Sequence, residues 1–209
     1  MQSFLCQAKS YIEQIEFLHQ KALKTHKLFE GINDPDSLMN VYSDRRRVAK
    51  ILAKQIQQGL YQPSHATQRY IWVKEKRRLV YCYNLIDKVV ISTIARELTK
   101  LLEPRLSYAC YAFRERFNCH KVICNLSGYL RKHKRQQVFF YKTDVKSYFD
   151  TMPVDNQSLL WQQLNDLLRS SGIEQGDCLW QLIANFVRSP SLNTDGLLQT
   201  NLIGTATGS

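Results

Sequence analysis

The sequence lacks several things that would settle its class at once. None of its apolar runs approaches the roughly 18–20 residues that a membrane span requires. The first residues, MQSFLCQAKSYIEQ, lack the apolar core of a secretory signal. There is no C-x-x-C pair: the six cysteines stand at irregular spacings, and only Cys119, His120 and Cys124 come near one another. No second pair completes four zinc ligands, so the expectation is reduced and mostly buried thiols. No internal repeat and no Pro/Gly/Ser-rich linker divides the chain, and no Asp-Asp pair occurs in it. These absences predict a soluble, cytoplasmic protein with no membrane partner. What is present excludes other classes. With 209 residues, 44% hydrophobic and 11% aromatic, the chain has the material for a core, which rules out intrinsic disorder, collagen and small disulfide scaffolds.

Charge of one sign is concentrated. The chain carries 29 Lys and Arg against 18 Asp and Glu, a formal net charge of +11. Residues 1–68 hold 9 basic and 6 acidic side chains, residues 69–135 hold 16 and 5, and residues 136–209 hold 4 and 7. The whole excess lies in the middle stretch. Cations at that density attract a polyanion, because each neutralised phosphate releases counterions. Tyr70, Trp72, Tyr81, Tyr83, Tyr108, Tyr111, Phe113 and Phe117 are interleaved with them, and bases stack on such rings. Together they point to nucleic acid rather than to a merely solvated face.

Periodicity gives the coarse order of elements. Residues 3–29 read as a helix, Asn33 to Asp36 as a turn, and a second helix runs from a Ser43 or Asp44 cap to Gly59. The runs 69–73 and 78–82 read as two strands joined by a charged tip, 74–77. Residues 84–102 return to helix and stop at Pro104, and a further helix spans 118–134. Val138 to Tyr141 reads as a short buried strand leading into Asp144. Helices follow at 155–169, capped by Asp155, and at 175–188. The class is α+β.

The segment Thr143-Asp144-Val145-Lys146-Ser147-Tyr148-Phe149-Asp150 carries the most chemistry. A carboxylate directly after an apolar strand is costly to bury and well placed to hold a metal ion. Taken alone, the segment favours the plainer reading, in which Asp144 and Asp150 begin and cap short helical turns. The segment does not stand alone. Its pattern D-x-x-x-x-F-D resembles the first catalytic motif of reverse transcriptases, in their bacterial group II intron, retron and defence-associated branches. Upstream, 71–80 resembles the I-P-K…K-x-R-x-L/I fingers segment. Leu85 to Val90 followed by Leu102-Glu103-Pro104 resembles the D-R/K-[IV]-[IV] helix closing on L-E-P. Ser107 to His120 resembles S-x-G-F-R-P-x-R-S-x-H, and 204–209 resembles G-x-P-Q-G-x.

The resemblance implies a right-hand polymerase: a helical extension (1–68), basic fingers (69–135) and the first half of a palm (136–209). It implies RNA-directed DNA synthesis from dNTPs on a DNA or RNA primer and an RNA template, with two Mg²⁺ ions, Mn²⁺ being the substitute. A dedicated non-coding RNA is a further partner in these branches. By the same resemblance Asp144 and the Val145 carbonyl hold metal, and Lys74 and Arg77 grip the triphosphate. Phe149 lies under the incoming sugar, and Gly208 lets the backbone approach the nucleotide. Arg114, Arg116 and His120 contact the template, with 131–135 a weaker candidate. The departures are Glu115-Arg116 for Pro-Gly and Ala206-Thr207 for Pro-Gln, which point to a divergent branch such as the phage-defence enzymes. The family's Y/F-x-D-D motif falls beyond Ser209, so this portion alone is expected to be inactive. The competing readings are a non-catalytic RNA-binding protein and an RNA-directed RNA polymerase. The bulk of Phe149 opposes the second by excluding a 2′-hydroxyl.

Overall fold

Apolar side chains at helical spacing build most of the chain, and one long antiparallel hairpin interrupts them. The computed structural model describes residues 2–25, 37–112, 114, 117–146, 148–188 and 190–199. The architecture is mixed α and β, as the composition and periodicity predict. No helix among the described residues is long and apolar enough to cross a membrane. The chain divides into two compact units, residues 1–97 with 147–209, and residues 98–146.

In the first unit the expected N-terminal helix is two, α1 (Gln2–Leu5) and α2 (Ala8–Lys24). The break falls at Gln7, whose backbone is extended. Ser10 Oγ and Tyr11 OH donate to the Phe4 and Leu5 carbonyls, which a continuous helix would have satisfied from its own backbone. Residues 26–29 of that helix and the turn Asn33 to Asp36 lie outside the described residues. A short helix not foreseen in the sequence, α3 (Leu38–Ser43), starts at Ser37, whose hydroxyl accepts from the Asn40 N–H. Asp44 stands at the N-cap position of α4 (Arg45–Gln57), as expected, but its carboxylate makes no capping hydrogen bond. Gly59, at φ 68°, ends it by letting the Leu60 N–H reach back to the Gln55 carbonyl at 2.8 Å.

The hairpin is longer and tighter than predicted: β1 (Ala66–Val73) and β2 (Lys76–Cys82) are closed by two residues, Lys74 and Glu75. Lys76 and Arg77 therefore belong to a strand, not to the tip. β1 also pairs in parallel with β3 (Ser191–Leu192), which pairs antiparallel with β4 (Leu198–Gln199), giving the sheet order β2-β1-β3-β4. Gln68 ties the three together, its amide donating to Ser191 Oγ at 2.8 Å and Gln199 Oε1 at 3.0 Å. Two-residue strands are too short to leave a periodic signature, and neither was foreseen.

α5 (Leu85–Leu102) forms as predicted and runs from the first unit into the second. Later in the first unit come α7 (Tyr148–Thr151), α8 (Leu159–Arg169) and α9 (Cys178–Val187). α8 begins later than predicted because Ser158, not Asp155, caps it, accepting from the Trp161 N–H. Asp155 instead closes the turn before it, accepting from Gln157 N–H. The core gathers Tyr11, Ile15, Ile56, Val89, Val90, Leu168, Leu179 and Ile183, with Trp161 edge-on to Trp180 at 5.6 Å.

The second unit holds the end of α5, a 3₁₀ turn (Glu103–Arg105) and α6 (Cys119–Lys132), which Asn118 caps through the Lys121 N–H. The strand expected at Val138 to Tyr141 is not there. These residues have no regular structure, and Phe139, Phe140 and Tyr141 are exposed. A strand needs a hydrogen-bonding neighbour, and no described residue supplies one. The cysteines also depart from expectation. None of the six is fully buried, and Cys119, Cys124 and Cys178 are exposed.

Candidate nucleic-acid interface

The hairpin is positioned from its base. Asp87, in the first turn of α5, is almost fully buried and accepts hydrogen bonds from the Tyr61 hydroxyl and the Ser64 N–H. Asn84 completes the clamp, its Oδ1 accepting from the Asp87 N–H at 2.7 Å and its Nδ2 donating to Ser64 Oγ at 2.9 Å. The segment entering β1 is thus fixed to the start of the helix leaving β2. Burial pushes the Asp87 carboxyl above the ordinary aspartate range, against the hydrogen bonds from Tyr61 and Ser64. The Tyr61 hydroxyl is pushed up as well, first by burial and then by its bond to Asp87. The sequence did carry a signal for this clamp. An acid inside an otherwise apolar helix stripe must find donors, because an unpaired buried carboxylate is too costly.

Above that base the hairpin stands in solvent. Cross-strand partners share a face of a sheet, and successive residues alternate. Register therefore puts Tyr70, Trp72, Leu79 and Arg77 on one face, and Arg69, Ile71, Val73, Arg78 and Lys76 on the other. On the first face the Arg77 guanidinium lies over the Tyr70 ring, 3.7 Å from its centroid. Trp72, directly opposite Arg77, is 74% exposed. Lys74 and Glu75, at φ 50° and 64°, take left-handed conformations that favour glycine. Two left-handed residues in a row give the turn whose twist matches that of the strands.

The second unit holds a different cationic arrangement. The Arg114 side chain is only 8% exposed, and its Nη2 meets Glu103 at 2.7 Å. Its Nε also donates to the same carboxylate, and its Nη1 donates to the Ser107 and Cys110 carbonyls, both at 2.9 Å. The guanidinium lies 4.0 Å over the Phe117 ring, against which Tyr108 and Tyr111 also pack edge-on. Four of its five N–H groups are thus engaged within the unit, so Arg114 staples the loop 103–117. Hydrogen bonding by that guanidinium, ahead of charge alone, holds the Glu103 carboxyl below its usual range. His120 is exposed in the first turn of α6, and Asp144 and Val145 are exposed in the irregular segment that follows it.

The predicted site residues thus fall in two groups. Lys74 and Arg77 sit within one hairpin of the first unit, whereas Arg114, His120, Asp144 and Val145 belong to the second. Arg116, Gly208 and the side chain of Phe149 lie outside what is described. The Asp144 carboxylate and the Val145 carbonyl are hard oxygen donors of the kind Mg²⁺ takes. Among the described residues no three His, Cys, Asp or Glu side chains group as metal ligands. No protein-family model and no curated protein matches the chain.

Proposed function

We propose that the chain is the fingers and first half of the palm of an RNA-directed DNA polymerase. The observation that carries this reading is the order of five motifs across 71–209, from the basic hairpin through Asp144 and Phe149 to the glycine loop. The reaction is nucleotidyl transfer: a primer 3′ oxygen bonds to the α-phosphorus of a dNTP and pyrophosphate leaves. Mg²⁺, when bound by Asp144 and the Val145 carbonyl with further ligands, would stabilise the charge on both oxygens. Lys74, at the hairpin turn, and Arg77 would hold the triphosphate as a cationic clamp. Phe149 would select deoxyribose by its bulk, and Gly208 would make room for nucleotide and template. Arg116 and His120 would meet the template, and Arg114 would act chiefly by tying Glu103 to the Ser107 and Cys110 carbonyls.

The test expresses the whole open reading frame that contains residues 1–209 and measures dNTP incorporation on a primed RNA template with Mg²⁺. Asp144→Asn is expected to abolish incorporation, with a loss above about 10³-fold, while Asp166→Asn leaves it unchanged. Phe149→Ala is expected to admit ribonucleotides. Incorporation that survives Asp144→Asn, or is absent from the intact protein, would overturn the reading, the latter leaving an RNA-binding protein.

A further inference from the structure

The distal hairpin presents two chemically different faces, and the alternation of side chains makes them so. One is a row of flat groups, Tyr70, Arg77 and Trp72, in which the guanidinium already lies against one ring and the indole stands largely in water. The other carries three cations, Arg69, Lys76 and Arg78, with Ile71 and Val73 between them. A lone exposed tryptophan is ordinary. Two aromatic rings spaced by an arginine on one protruding face, backed by three cations, is a pattern with a specific complement.

We infer that the Tyr70–Arg77–Trp72 face is a stacking platform for the unpaired bases of a single polynucleotide strand, and that the cations of the opposite face supply the attraction that brings the strand to it. Flat rings and a guanidinium plane accept any base, because every base has a π-face, whereas bases inside a duplex offer no free face. A guanidinium stacked through its face also keeps its in-plane N–H donors for phosphate, so Arg77 can serve the platform and the triphosphate clamp alike. Binding should then divide into a stacking part that is insensitive to salt and a cationic part that is not. The inference rests on the nucleic-acid half of the proposed function and makes no use of polymerisation.

The 209-residue chain carries its own reporter. Trp161 and Trp180 are 2% and 7% exposed, so quenching of tryptophan emission by a stacked base reports Trp72. An unstructured RNA of about 12 nucleotides is expected to quench the emission saturably, and a duplex of the same length is not. Trp72→Leu should remove the quench, and Tyr70→Leu should weaken binding about tenfold with the salt dependence unchanged. Arg69→Gln with Arg78→Gln should instead flatten the salt dependence, by about one unit of slope for each phosphate no longer neutralised, and leave the quench at saturation intact. Circular dichroism of each variant checks that the fold is kept. RNA that binds without quenching, with Tyr70→Leu binding as tightly as wild type, overturns the platform and leaves the nucleic-acid reading standing. No binding at low salt overturns both.

Discussion

The two units reach order by different means. The first hides large apolar side chains, Trp161, Tyr11, Ile56 and Leu168 among them, behind helices that cover one another. In the second, residues 98–146, no described residue is fully buried, although Val122, Ile123, Leu126, Tyr129 and Leu130 form an apolar stripe on α6. Apolar content is therefore not a core; a core needs a facing surface. The second unit relies on polar hooks instead: the Arg114–Glu103 pair, the Asn118 cap, and Asn125 donating to the Tyr111 hydroxyl at 2.7 Å.

The contrast can be broken most forcefully by truncating one apolar residue in each unit. Trp161→Ala should lower stability by about 3–5 kcal/mol, since it empties a space between Trp180 and the Arg188 guanidinium 3.9 Å away. Leu126→Ala should cost no more than about 0.5 kcal/mol, as at other exposed positions. Urea denaturation followed by circular dichroism measures both, and losses of similar size would erase the distinction.

Asp87 sharpens the contrast through pH. Asp87→Ala strands the Tyr61 hydroxyl and the Ser64 N–H and should cost about 2 kcal/mol. Because the folded carboxyl sits above its ordinary value, its stabilisation is full below that value and is lost as pH rises through the folded one. Wild type should therefore gain on Asp87→Asn as the pH is lowered from about 7 to about 4. Glu103 has the opposite sign: its contribution is present above the ordinary glutamate value and fades as pH falls through the folded one. Denaturation midpoints followed from about pH 7 to about pH 2, and compared across Asp87→Asn and Glu103→Gln, should show the Asp87 contribution growing above the ordinary aspartate value and the Glu103 contribution fading below the ordinary glutamate value.

The smallest effect concerns the turn. Glu75→Gly should raise stability by about 0.5–1 kcal/mol, because glycine adopts the left-handed conformation without a Cβ penalty. No gain in the thermal midpoint would mean that the turn holds Glu75 by interactions that glycine cannot make.

Much of this fold was legible. α5, α6 and the hairpin carry long periodic signals, and Gly59 marks the end of α4 by its left-handed backbone. Legibility failed where an element depends on a distant partner. β3 and β4 exist only through their pairing, and Val138 to Tyr141, with the composition of a buried strand, has no pairing strand among the described residues. The cationic residues of the candidate site were visible as charges, but their separate tasks were not. Only register shows that Arg77 shares a face with Trp72 and Tyr70 while Arg78 does not, and only burial shows that Arg114 is a staple.

The parallel pairing of β1 with β3 also sets an order of events in time. The hairpin closes through partners that are neighbours in sequence, whereas the Gln68–Ser191 bond joins residues 123 positions apart. Local closure takes microseconds, and pairings at long separation must wait for the loop between them to be ordered. On the ribosome the hairpin is complete before Ser191 is synthesised, so the β3-facing edge of β1 stays open while the residues between them are made. During that interval β1 presents an unpaired edge, the kind of edge that can pair with another copy.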